Sequence, residues 1–276
     1  MPGRLTSDEV DFFKNQGYLL YHKPVLPPAR FEALRQHFEN KLSTWAQDSG
    51  GKRPEHMDVP HFTDPKLFDW LFDPNVLDVV ESLIGPDIAL WSSHFITKPA
   101  NTGLRVPWHE DSAYWGKVLD PMEVVTVWLA VDPSTPANGC MRVIPGTHHN
   151  GYSQYEDVQG EQVFGIQIKQ GMVDESKAVD CALAPNECSV HHAKTIHGSN
   201  PNTSPLRRCG YTMRYVPASS KFRPEQMWAG AKSAFQIYLA RGKDTGGNEY
   251  GDPTKVNQMW VDADFEAKRR AKLLAG

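Results

Sequence analysis

The sequence predicts a mainly β fold, an antiparallel sandwich or barrel with helices packed outside it. Three observations carry this. Residues from about 1 to 87 place apolar side chains at helical spacing. From Ile88 to about Pro217 the pattern changes to short runs rich in Val, Ile, Thr and aromatics. Clusters such as Asp132-Pro-Ser-Thr-Pro and Pro145-Gly146-Thr147 separate those runs as turns.

Taken in order, Thr6 and Glu9 form a capping box ahead of Val10, Phe12 and Phe13, with Gly17 as the stop. Phe31, Leu34, Phe38, Leu42 and Trp45 recur at helical spacing between Pro28 and Gln47, so one face packs inward. Asp64-Pro65 and Asp73-Pro74 each set a capping acid before a proline at the first helical position. The second of these helices carries Val76, Leu77, Val80 and Leu83 and ends at Gly85-Pro86. Strands are expected at Ile88–Thr97, Val124–Val131, Cys140–Ile144, Val163–Ile168, Cys188–His192 and Tyr211–Val216. Loops are expected at Asp48–Pro60 and Asn150–Val179, the second over a pocket mouth, and a final helix from Asp264. With no internal repeat and no low-complexity linker, residues 1–276 read as one domain: a helical preface of about 1–87, a β core of about 88–217 and a mixed tail of 218–276.

Composition excludes several function classes. The 276 residues carry 29 Lys plus Arg and 33 Asp plus Glu, a net charge of -4, with the basic residues scattered rather than clustered. That argues against nucleic acid or a polybasic membrane contact. The longest strictly apolar run, Val127 to Val131, is far short of a membrane span. The N-terminus lacks an apolar signal core, and Asp8, Glu9 and Asp11 do not suit a transit peptide. Cys140, Cys181, Cys188 and Cys209 form no CxxC pair and read as reduced, mostly buried thiols. The expectation is a soluble cytoplasmic protein acting on a small molecule; oligomeric state leaves no trace in the sequence.

His109-Glu-Asp111 is the first candidate for chemistry. A His-x-acid triplet is cheap, since His37-Phe-Glu39 and His56-Met-Asp58 also occur. In an extended segment, residues two apart point to one side, so His109 and Asp111 can converge on an ion. His197 supplies a third ligand at the end of another β run. Two imidazoles and a carboxylate on one side leave positions open opposite, which suits Fe(II) chemistry with O2; zinc hydrolysis would accept the same ligands. Beyond His197 the chain turns and re-enters a β run in which Arg208, Gly210, Thr212 and Arg214 share one face. Arg208 on that face could grip a carboxylate with its fork, while Arg207 is expected in solvent.

The set His109-Glu-Asp111, Thr126-Val-Trp-Leu-Ala-Val-Asp132, Asn138-Gly-Cys, Ile144-Pro-Gly-Thr-His148 and His197-Gly-Ser199…Arg208 resembles the phytanoyl-CoA dioxygenase family. The resemblance implies a double-stranded β-helix (jelly roll, cupin-like) that uses Fe(II), 2-oxoglutarate and O2. It implies His109, Asp111 and His197 as iron ligands, and Arg208 and Ser199 on the distal carboxylate of 2-oxoglutarate. Trp128 would line the co-substrate pocket, and so would His94, where relatives often carry an apolar residue. Because Asp111 is intact, the resemblance implies hydroxylation of an unactivated C–H bond with release of succinate and CO2, rather than halogenation.

Around this set, Trp108, Tyr114 and Trp115 flank the metal triplet and are candidates for the substrate side. His192 is a candidate for contact near His197, with adjacent His191 expected to face away. Arg214 shares the inward face with Arg208 and could meet an anionic substrate group. Lys98, at the end of the strand that carries His94, is a weaker candidate for that pocket, with a solvated lysine as the alternative, and the His148-His149 pair reads as a solvated loop edge. No basic cluster suits the phosphates of coenzyme A. Two rival readings are a zinc or manganese hydrolase on the same triad, which leaves Arg208 and Ser199 unexplained, and a non-catalytic jelly-roll protein that retains a metal.

Overall fold

The computed structural model describes residues 4–160, 163–227 and 234–262. Its longer helices are α1 (Ser7–Gln16), α2 (Pro28–Asp48), α3 (Phe68–Leu71), α4 (Pro74–Ile84) and α5 (Asp111–Trp115). The strands begin with β1 (Tyr18–Tyr21), β2 (Met57–Asp58), β3 (Ile88–Lys98), β4 (Val106–His109), β5 (Leu119–Asp120), β6 (Val125–Ala130), β7 (Met141–Val143) and β8 (Tyr155–Asp157). They continue with β9 (Ile166–Ile168), β10 (Val179–Asp180), β11 (Cys188–His192), β12 (His197–Ser199), β13 (Arg208–Pro217), β14 (Lys221–Phe222) and β15 (Tyr238–Arg241). The final helix expected from Asp264 lies outside the described residues.

Antiparallel pairing builds a major sheet in the order β1-β11-β6-β13-β3-β15, with β2 added to β3. A minor sheet runs β10-β7-β12-β4. The arrangement is a jelly roll, as the resemblance implies. One face of the major sheet carries the core: Phe95, Val127, Leu129, Tyr211 and Met213 join Leu34 and Phe38 of α2 and Val76 and Val80 of α4 in a single apolar cluster. Phe38 is fully buried, and its ring lies 4.9 Å from that of Phe95. Truncating such a side chain typically costs about 3–5 kcal/mol. The other face turns toward the minor sheet and carries the polar side chains, so helix packing on one side holds the site rigid on the other.

Local rules explain the helix ends. Both bonds of the Thr6–Glu9 capping box form, and Gly17 closes α1 with a left-handed φ of 75°. Asp73 caps α4 through the Asn75 amide at 2.9 Å. Asp64 does not cap. Its carboxylate is taken by His37 at 2.8 Å and Lys41 at 3.1 Å, and the chain after it makes only a 3-10 turn and the single turn of α3. The Asn150–Val179 stretch, expected to be a loop over the pocket, contains the β8–β9 hairpin, of which β9 lies within the strand expected at Val163–Ile168. All four cysteines are free and buried.

Candidate active site

Cross-strand register explains how the inner face of the major sheet is furnished. Ser92 on β3, Arg214 on β13, Thr126 on β6 and His191 on β11 stand in one row. The next row holds His94, Thr212, Trp128 and Ser189, and at the far end Arg208 stands opposite Lys98. Paired residues point to the same side, so each row converges on the interior.

Three ligating side chains meet this face. His109 closes β4, His197 opens β12 directly opposite it, and Asp111 is the first residue of α5. The strand-to-helix junction, rather than a continued strand, brings Asp111 beside His109. One ligating atom from each lies within 4.8 Å of the others, and all three residues are buried. His109 Nδ1 donates to the Pro107 carbonyl at 2.8 Å and His197 Nδ1 to the Thr195 carbonyl at 2.9 Å. A carbonyl only accepts, so Nδ1 carries the proton and each Nε2 offers a lone pair. Asp111 Oδ1 stands 3.6 Å from one Nε2 and 3.8 Å from the other. Three electron-pair donors thus converge with no proton between them, an arrangement that a cation satisfies.

The ionisation states agree. Burial alone would raise Asp111, but the Arg214 guanidinium beside it holds its carboxyl well below the usual carboxylate range. Burial, then His109 and His191, push His197 well below the usual imidazole value. A charged carboxylate and neutral imidazoles are the forms that bind metal. Asp111 Oδ2 faces the other way, toward Arg214 Nε at 3.3 Å, Thr126 Oγ1 at 3.5 Å and His191 Nε2 at 3.8 Å.

Arg208 has the complementary problem. It is 2% exposed, and its guanidinium donates to the carbonyls of Gly139 at 2.9 Å and Ile96 at 3.4 Å, with Nε unpartnered. Burial brings it down to about 10, so it stays charged at neutral pH. Among the described residues no carboxylate pairs with it. An uncompensated buried charge costs several kcal/mol, which an anionic ligand offsets. The Trp128 ring lies 5.3 Å beneath it. Arg208, Ser199, Trp128, His94, Arg214 and the three ligating residues all line one cavity. The residues present therefore fit a divalent metal and a carboxylate-bearing co-substrate side by side.

Tyr114 and Trp115 line an adjoining cavity instead. Trp108 and His192 are not brought to either. Trp108 precedes His109 on β4, so strand alternation turns it into a cluster with Ile144, Ile168 and Ile196. His192 pairs with Glu123 at 3.3 Å, while its neighbour His191 lines the cavity, the reverse of the expected facing. Lys98, the weaker candidate, lines neither cavity and is not solvated: it is fully buried, and its ammonium donates to the Asn200 carbonyl; burial, then Arg208, push it down to about 6. One further expectation, of Arg207 in solvent, is corrected. Arg207 is tied to Asp132 at 2.7 and 2.9 Å and to Glu39, which pins α2 to the sheet. His191, Thr126 and Phe164 join the site unforeseen. Thr126 shares the face of Trp128 by strand period, His191 needed the register, and Phe164, whose ring lies 4.9 Å from that of His109, falls in the expected strand Val163–Ile168 but sits in the loop just before β9.

Comparison with known proteins decides what this arrangement belongs to. The profile of the phytanoyl-CoA dioxygenases (PhyH) matches residues 13–210. The chain belongs to the phytanoyl-CoA dioxygenase family. A probable phytanoyl-CoA dioxygenase of Caenorhabditis elegans is 30% identical over 241 residues, covering 77% of this chain and 75% of that protein. Among solved structures, the apo form of the non-heme monooxygenase ThoJ superposes with a TM-score of 0.72 at 26% identity, covering 96% of both chains. CytC3 with Fe(II) and alpha-ketoglutarate shares the fold, with a TM-score of 0.67 at 22% identity over 93% of this chain and 97% of its own. The family is one of non-haem Fe(II)- and 2-oxoglutarate-dependent oxygenases. No helix among the described residues is long and apolar enough to cross a membrane.

Proposed function

We propose that this chain is a single-domain Fe(II)- and 2-oxoglutarate-dependent dioxygenase that hydroxylates an unactivated C–H bond of a small organic molecule. The observation that carries the reading is the pairing of two features: three proton-free donors converging at 4.8 Å or less, beside a buried arginine with no carboxylate partner. His109, Asp111 and His197 would hold Fe(II), leaving the positions opposite them open. Arg208 and Ser199 would hold the distal carboxylate of 2-oxoglutarate, with Trp128 and His94 as walls. When bound, the metal and co-substrate supply O2 activation: one oxygen atom enters succinate as CO2 leaves, and the other goes to the substrate carbon.

The chain's own contribution is placement and exclusion. The backbone carbonyls of Pro107 and Thr195 fix the imidazole tautomers. Thr126, His191 and Arg214 face one carboxylate oxygen of Asp111 and leave the other for the ion. Trp128, Val106 and Phe164 line the cavity and keep water from the reacting centre. A hydrolase would have no use for a buried guanidinium awaiting a carboxylate. The test is release of labelled CO2 from 1-carbon-labelled 2-oxoglutarate. Release that requires Fe(II) and O2 and is abolished by His109→Ala supports the reading; zinc-dependent ester or amide hydrolysis without such release contradicts it.

A further inference from the structure

A second cavity of about 320 Å³ adjoins the first, sharing His94, Asp111, Phe164 and Arg214 with it. Its remaining walls are mostly aromatic. The Trp91 ring lies 4.7 Å from Phe235 and meets Trp115 edge-on at 5.8 Å, and Tyr114 packs at 5.2 Å from Phe164. Flat apolar walls of this kind suit a flat apolar ligand.

The polar group that these walls leave open is Arg214. It commits Nε to Asp111 and Nη1 to Ser92 at 3.4 Å, which leaves Nη2 without a partner among the described residues. Asp111 is engaged with it, and Asp58 is mostly exposed to solvent. A guanidinium edge beside aromatic walls describes the ligand by what it must bring: an oxygen acceptor on a flat apolar body.

We propose that this cavity takes the substrate, and that the substrate carries a flat, apolar ring system with a carbonyl or carboxylate oxygen that Arg214 reads. The proposal rests on the dioxygenase reading for the cavity's role, since Asp111 is common to both cavities and places the ring beside the metal ligands. An aromatic box can also hold an ammonium group, but the Arg214 guanidinium, stacked 5.5 Å over Trp115, opposes a cation there.

The experiment is an anaerobic calorimetric titration of the Fe(II)- and 2-oxoglutarate-loaded protein with three probes on one ring: 2-naphthoate, 2-acetylnaphthalene and 2-naphthylmethylammonium. The oxygen-bearing probes are expected to bind at least about tenfold more tightly than the ammonium. Arg214→Lys, which keeps the charge and loses the fork, should weaken 2-naphthoate and 2-acetylnaphthalene about tenfold, the worth of a hydrogen bond to a charged group, while naphthalene itself is unaffected. Equal or tighter binding of the ammonium, no binding of any probe, or unchanged affinities in that variant would overturn the proposal. The visible band of the loaded protein, read in the same cell, separates the two readings. A band with no probe preference removes the substrate class alone. Absence of the band removes the cofactor reading, and the probe titrations still decide which ligand the cavity prefers.

Discussion

Trp128 occupies the space that a side chain at Gly210 would need: a Cβ at residue 210 would stand 2.0 Å from the indole ring. The two residues sit on neighbouring strands, and the missing side chain lets the indole lie beneath the Arg208 guanidinium. Gly210→Ala therefore displaces Trp128 within a packed interior. Overpacking of this kind costs about 1–3 kcal/mol, and the melting temperature should fall by about 2–10 °C. Affinity for 2-oxoglutarate should drop about tenfold, a loss of about 1.4 kcal/mol. Thermal melts and anaerobic co-substrate titration check both.

Arg208→Lys keeps the charge and loses the fork. Bonds to charged groups contribute about 1.5–3 kcal/mol, so the dissociation constant for 2-oxoglutarate should rise about 10- to 100-fold. Fe(II) affinity should stay within about threefold, because Arg208 touches none of the ligating residues. Equilibrium titration of each separately is the check, and equal co-substrate affinity in the lysine variant would remove Arg208 from its role.

Asp111 and Arg214 form a buried pair, and removing one partner of such a pair costs about 3–5 kcal/mol. Arg214→Met should destabilise the metal-free protein by that order, read by denaturant unfolding. A divalent ion on Oδ1 neutralises the stranded carboxylate, so adding Fe(II) or Co(II) anaerobically should recover much of the deficit. His191→Phe makes the contrast. Both His191 nitrogens lack a hydrogen-bond partner, so this variant should melt within about 2 °C of the parent, less than 1 kcal/mol by the usual conversion.

The Arg207 link gives a pH dependence. The Arg207 hydrogen bond, set against partial burial, lowers Glu39 from its ordinary value. A carboxyl held low when folded contributes stability above its unfolded value, near 4.3, and loses it as pH falls through the lower folded value. Glu39→Gln should therefore melt about 1–3 °C below the parent at pH 7, as suits a half-exposed pair. The gap should close between about pH 4.5 and 3. A gap that persists at pH 3 would mean the carboxylate's charge is not what Arg207 holds.

The fold class was legible because two periods divide the chain: Leu34 and Phe38 recur helically, whereas Arg208, Gly210, Thr212 and Arg214 alternate, and both patterns survive in the structure. The ligand triplet and Arg208 were legible as residue types at ordered spacings. What escaped depended on partners distant in the chain. Period two sets His191 and His192 on opposite faces, but only pairing with Thr126 on β6 says which face is inward. Asp64 carries every mark of a cap, yet His37 and Lys41 compete for it. For Lys98 the pocket and the solvent both stayed open, because burial of a cation has no local signature; it follows from β13 lying beside β3.

The central claim is that the triad and Arg208 hold a metal and 2-oxoglutarate together. The most direct measurement adds Fe(II) and then 2-oxoglutarate to the protein without oxygen and records the visible spectrum, with His109→Ala and Arg208→Ala as controls. A metal-to-co-substrate charge-transfer band in the parent, lost in the first variant and weakened in the second, is the predicted result. No band in the parent, with tight zinc binding in its place, would contradict the account.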